Sequence, residues 1–201
     1  MWARVAAGIV AALWSLFVFP PQFVDWAGPS GVPDWVRAMD GWPVYRAVED
    51  AFAGIGWTDV YVLWGVAIVP AELLAWWAMH RALRAFGAWG LALSMVWLLV
   101  APVTTLSYLN HDDGAPLRFL WGAEAFVLMA AFVLAIVVAF TGRDRGIRGV
   151  TRVLVGCTVV FGVAGTLLTG YYPHGTYIGI GVLAALVAGT AGRREGAGRG
   201  A

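Results

Sequence analysis

The chain has 201 residues, of which 61% are hydrophobic and 12% charged, with a formal net charge of +1 and a mean hydropathy of +0.76. Soluble domains carry about one-quarter charged residues, so most of this surface is built to meet something other than water. The near-neutral balance excludes the basic face of a nucleic-acid binder. The single cysteine, Cys157, excludes a disulfide framework and a CxxC redox centre.

Apolar runs fall at 5–24, 58–79, 86–108, 117–140, 153–172 and 176–191. Spanning hydrocarbon takes roughly 17 to 25 residues, and lipid offers no hydrogen-bond partners, so such segments must be helical. The expected fold is all-α: one six-helix transmembrane domain over 1–192, then a disordered cytoplasmic tail over 193–201. The first run follows Arg4 as a signal peptide would. It continues through Phe17, Val18 and Phe19 to Pro20-Pro21 without a small-x-small cleavage site, so it reads as a retained span.

The connection over 25–57 is too long for a hairpin. Pro43 suits a first helical position, and Val44, Val48, Phe52 and Ile55 recur at helical spacing while Arg46, Glu49 and Asp50 face away. This pattern predicts an interfacial amphipathic helix, bracketed by Trp26, Trp35, Trp42 and Trp57 as anchors. All 12 tryptophans lie between Trp2 and Trp121, and Trp64, Trp76, Trp77 and Trp97 fall deeper than an interfacial belt. The last two runs carry Gly156, Gly162, Gly165, Gly179, Gly181 and Gly189 instead. Small residues let membrane helices approach closely, so a tight glycine-rich pair is expected to support a bulkier aromatic part.

Arginine orients the bundle. With six spans, Arg4, Arg81, Arg84, Arg143, Arg145, Arg148, Arg152, Arg193, Arg194 and Arg199 fall on one side, and only Arg37, Arg46 and Arg118 on the other. The positive-inside rule then places both termini in the cytoplasm of a multi-pass cell-membrane protein.

Two acids lie within spans: Glu72 in "VPAELLAWW" and Glu124 in "LWGAEAF". A charge at mid-helix costs about 2.5 to 3.5 kcal/mol on insertion scales, so such residues face the bundle and are functional candidates. They differ in depth by roughly 10 Å at 1.5 Å per residue. Pro70 frees a backbone carbonyl close to Glu72. At the outer end, "SYLNHDDGAP" supplies Tyr108, His111 and Asp112, and "YYPHG" supplies Tyr171, Tyr172 and His174. His174 reads by itself as a solvated turn residue.

Desolvation suits Glu124 to the role of an acid. Its candidate catalytic companions are His111, Asp112 and Glu72, with Trp121, Tyr108, Tyr171, Tyr172 and His174 as ligand-binding walls. Trp121 and Leu128 are expected on the helical face of Glu124. Such a pocket suits isomerisation or cyclisation of an isoprenoid or acyl lipid, so the expected partner is a membrane lipid or lipophilic small molecule. The alternatives are a small proton-coupled transporter or a non-catalytic subunit with a membrane-protein partner. His111, Asp112, His174 and Glu124 offer metal-type donors, but no HxxxH or HxxE spacing supports a metal, and no motif implies a cofactor.

Overall fold

The computed structural model describes residues 1–28, 30–143 and 145–191. They form ten α-helices and no strand: α1 Trp2–Ala27, α2 Asp34–Asp40, α3 Pro43–Ala53, α4 Val60–Val66, α5 Val69–Arg84, α6 Ala88–Leu109, α7 Ala123–Thr141, α8 Gly149–Gly156, α9 Thr158–Thr169 and α10 His174–Ala191. A 3-10 turn, Arg118–Leu120, precedes α7. The tail expected over 193–201, with Arg193, Arg194 and Arg199, lies outside the described residues.

Four helical stretches are long and apolar enough to cross a membrane: Trp2–Ala27, Val60–Arg84, Ala88–Leu109 and Arg118–Thr141. The pair α8 and α9, bent by 48°, makes a fifth if it is one span. The chain is thus an all-helical protein compatible with multiple membrane passes. Six spans do not follow from length and composition, because the fifth run is broken at Cys157 and α10 is short.

The glycine-rich helix is not a peripheral support. It packs against α1, α5, α8 and α9. On one side, Gly8 and Ala12 of α1 meet Ala185 and Gly181 of α10, each pair spaced by four on its own helix. A Cβ added at Gly8 would lie 2.4 Å from the Ala185 nitrogen, and one at Gly181 would lie 2.4 Å from the Ala12 nitrogen. On another side, a Cβ at Gly165 would lie 2.3 Å from the Gly175 carbonyl oxygen, and one at Gly179 would lie 1.8 Å from that of Phe161. Backbones this close gain dispersion contact that larger residues forbid.

The prolines free carbonyls, and side chains from elsewhere take them. Pro21 has no N–H, so the carbonyl of Phe17, four residues earlier, loses its helical donor. The Tyr45 hydroxyl donates to it at 2.7 Å. Before Pro70 the helix breaks between α4 and α5: the Ala71 N–H bonds to the Ile68 carbonyl, and the Trp14 indole donates to the free Ala67 oxygen at 2.6 Å.

Tyr45 also decides how α3 sits. The helix begins at Pro43 as expected, and the side it turns to the bundle carries Tyr45, Val48 and Glu49. Tyr45 is buried, Val48 packs on the core, and the Trp64 indole donates to Glu49 Oε1 at 2.8 Å. Val44 and Ile55 are exposed. Two polar groups with partners on α1 and α4 hold this rotation. Glu49 therefore faces inward. Alongside it, Val32 and Val36 of the same connection cover Phe19 and Phe23 of α1 together with Tyr171 and Ile178.

Two outcomes follow. Gly181→Ala should cost about 1–3 kcal/mol by overpacking, read as a lowered unfolding midpoint in detergent, whereas Gly149→Ala, with open space around its Cβ position, should change stability by less than about 0.5 kcal/mol. Tyr45→Phe should cost about 1–3 kcal/mol by orphaning the Phe17 carbonyl. Burial, with a smaller contribution from the Asp40 charge, pushes the Tyr45 hydroxyl from 10.0 up to about 12. Folding therefore favours the protonated phenol, and its contribution should be complete below pH 10 and decline as pH rises from 10 to 12. A pH series of thermal melts of the wild type and Tyr45→Phe reads both effects.

Candidate functional site

The helix ends opposite the Arg4 end gather the polar residues, in layers stacked by helical repeat. On α6, Thr104 and Tyr108 are four apart, and His111 comes three residues later, just past the end of the helix. On α10, His174 and Tyr177 are three apart. Residues so spaced share a helix face, so groups from separate helices meet at matching depths.

The surface layer holds His111, Asp59, Asp112 and Tyr61. His111 Nδ1 lies 3.0 Å from the Tyr108 carbonyl oxygen, and its Nε2 lies 3.2 Å from Asp112 Oδ1 and 3.6 Å from Asp59 Oδ2. The other Asp59 oxygen accepts from the Val62 N–H at 2.9 Å and caps α4. The Tyr61 ring packs on His111, with centroids 4.8 Å apart, and on Tyr108 at 5.3 Å. Next to this layer, the Arg118 guanidinium binds Asp113 at 3.1 Å and lies over the Trp121 ring at 4.2 Å.

The second layer is fully inside. Tyr108 Oη and His174 Nδ1 are 3.1 Å apart, and the Tyr171 ring stacks on the imidazole at 5.5 Å. Gly65 makes the layer possible, because a Cβ there would lie 2.2 Å from the Tyr108 ring. His174 is completely buried and its Nε2 has no side-chain or backbone hydrogen bond of normal geometry. It is therefore not the solvated turn residue that "YYPHG" suggests: α10 begins at His174 itself, and the helix carries the ring into the core. Tyr172 stays half out, its hydroxyl donating to the Ala125 carbonyl at 3.2 Å.

One helical turn deeper lies Glu72. The Thr104 hydroxyl donates to its Oε1 at 2.8 Å. Its Oε2 has no partner, and the buried Tyr177 hydroxyl stands beside it without closing a hydrogen bond of normal geometry. No ion pair among the described residues involves Glu72. Further along the same face of α5, four and eight residues on, the Trp76 indole donates to Ser94 Oγ at 3.0 Å and His80 Nδ1 lies 2.7 Å from the same oxygen.

Glu124 stands apart from these layers. It is buried in the first turn of α7 beside Ser107, with one oxygen unpartnered. Gly122, in the left-handed conformation at φ 79°, caps that helix, and its N–H donates to Ser107 Oγ at 2.8 Å. Leu128 shares the buried face of Glu124, but Trp121 does not: it precedes α7 in extended conformation and is exposed. The α7 start is set by the Gly122 turn, so counting back three from Glu124 leaves the helix.

No protein-family model, curated protein or solved structure matches this chain.

Of the residues expected to form one site, the structure joins Tyr108, Tyr171 and His174, puts His111 and Asp112 above them, and leaves Glu72 and Glu124 in separate settings. It adds Asp59, Tyr61, Thr104 and Tyr177. Asp59 has a sequence signal, an aspartate immediately before an apolar run as an N-cap. Tyr177 shares the outer end of the bundle and Thr104 is one of the few polar residues within the spans, but only the register of the helices brings them to Glu72. Tyr108→Phe should remove the hydroxyl bonded to His174 Nδ1 and cost about 1–3 kcal/mol, measured as a lowered unfolding midpoint with helical content retained.

Proposed function

We propose that the chain is a six-pass membrane protein with both termini on the cytoplasmic, arginine-rich side. In this reading it is a small proton-coupled transporter with Glu72 as its proton-exchange site. One observation carries the proposal. Glu72 is a carboxyl 3% exposed, held by Thr104 through one oxygen, with the Tyr177 hydroxyl beside the other and no cation paired to it among the described residues. An unpaired charge in such surroundings costs several kcal/mol. The site therefore favours uptake of a small cation, and packing this tight admits the proton before any other.

The chain's own groups supply the route. The Tyr177 hydroxyl adjoins the carboxyl, and the Tyr108–His174 pair lies about one turn, roughly 5 Å, nearer the outer water. Hydroxyls and imidazoles both donate and accept, so a small rotation or one intervening water passes a proton between layers. On the cytoplasmic side, His80 and Ser94 continue the polar face, while Trp97 and Ala101 close the interval between Ser94 and Thr104. An apolar interval below a polar ladder supports coupling rather than free conduction.

Acid–base chemistry on an isoprenoid or acyl lipid has less support. His111 turns toward Asp59 and Asp112, and Trp121 binds Arg118, so neither attends Glu124. Infrared difference spectra across a pH titration test the proton site: a carboxyl band that titrates reversibly in the wild type should vanish in Glu72→Gln and persist in Glu124→Gln. A band unchanged in Glu72→Gln would end this reading.

A further inference from the structure

We propose that Asp59, His111 and Asp112 form a site for a divalent transition-metal ion of the Zn2+ class at the outer mouth of the bundle. The argument begins with the tautomer. A backbone carbonyl only accepts, so the 3.0 Å contact between His111 Nδ1 and the Tyr108 oxygen puts the ring proton on Nδ1. In the neutral ring, Nε2 is then a bare lone pair. It faces Asp112 Oδ1 at 3.2 Å and Asp59 Oδ2 at 3.6 Å, so in that tautomer three electron-pair donors converge.

The separations fit a metal. Zinc binds imidazole nitrogen and carboxylate oxygen at about 2.0 to 2.2 Å, and a tetrahedron of that size has edges of about 3.4 Å. The two measured edges bracket this value, and all three donor atoms lie within 4.8 Å of one another. A protonated imidazole bonding to a carboxylate would sit closer, at about 2.7 to 2.9 Å. A metal-bound histidine characteristically donates its other N–H to a backbone carbonyl or carboxylate, which orients the ring. The Tyr108 carbonyl does this here, and Tyr61 packs on the ring face.

The ligands come from rigid places. Asp59 is fixed as the cap of α4 through its other oxygen, and His111 follows the end of α6. Asp112 is 77% exposed along its side chain, so the ion is reached from water. Three protein donors leave a fourth position open to water or a small anionic ligand. The ion would join the start of α4 to the end of α6, above Tyr108. This inference does not depend on proton exchange at Glu72.

The test uses the full-length chain, free of any histidine tag, in detergent micelles. Titration with Zn2+ by calorimetry should show one site, and Co2+ should give the absorption of a low-symmetry bound ion that Zn2+ displaces. His111→Gln and Asp112→Asn should each weaken binding at least ten-fold, and Glu72→Gln should leave it unchanged. Asp112→Asn alters an exposed group and keeps the fold testable if His111→Gln does not fold. No saturable binding, or binding equally tight in Asp112→Asn, would overturn the proposal.

Discussion

The close approach of α10 to α1 and α9 is the constraint on which the rest depends. Gly8 and Gly181 on one side, and Gly165, Gly175 and Gly179 on another, let three backbones meet where any side chain would hold them apart. Hydrophobic burial gives little preference between helices and lipid, so association in a membrane rests on such packing and on hydrogen bonds. Because α10 is drawn into the centre, its first two turns enter the core. His174 and Tyr177 thus become buried partners of Tyr108 and neighbours of Glu72 rather than groups in an outer loop.

The second constraint is hydrogen-bond supply. Every carbonyl that a proline or a helix break releases must find a donor, because hydrocarbon provides none. Tyr45 and Trp14 meet that need at Phe17 and Ala67, and in doing so they fix the α3 lid and the α4–α5 bend. That bend turns α5 so that Glu72, Trp76 and His80 run down one face toward α6. Structural capping and the placement of the polar ladder thus come from the same few side chains. The ladder keeps buried polar atoms at Glu72 and His174 that close no hydrogen bond of normal geometry.

Much of this was legible in the sequence, for a physical reason. Long apolar runs and buried acids carry large free energies, so the helical class, several helices compatible with membrane passes and the inward position of Glu72 and Glu124 could be read residue by residue. The grouping of Tyr108, Tyr171 and His174 followed from their sharing one end of the bundle. What sequence periodicity could not supply was rotation and register. The inward turn of Tyr45 and Glu49 on α3 rests on hydrogen bonds to other helices, Trp121 fell outside α7 because Gly122 adopts a left-handed cap, and His174 was absorbed by a helix that begins two residues before the apolar run. The fifth and sixth runs also departed from simple spans, one bent at Cys157 and the other short.

In the proposed function, Glu72 is the place where a proton enters and leaves the bundle, reached through hydroxyl and imidazole groups from the outer face. The most direct measurement is proton movement in proteoliposomes carrying an internal pH indicator under an imposed pH gradient and clamped potential. The account predicts faster equilibration with wild-type protein than in protein-free vesicles, and Glu72→Gln reduced to the protein-free rate with its helical content intact. Equal rates for the wild type and Glu72→Gln would contradict it.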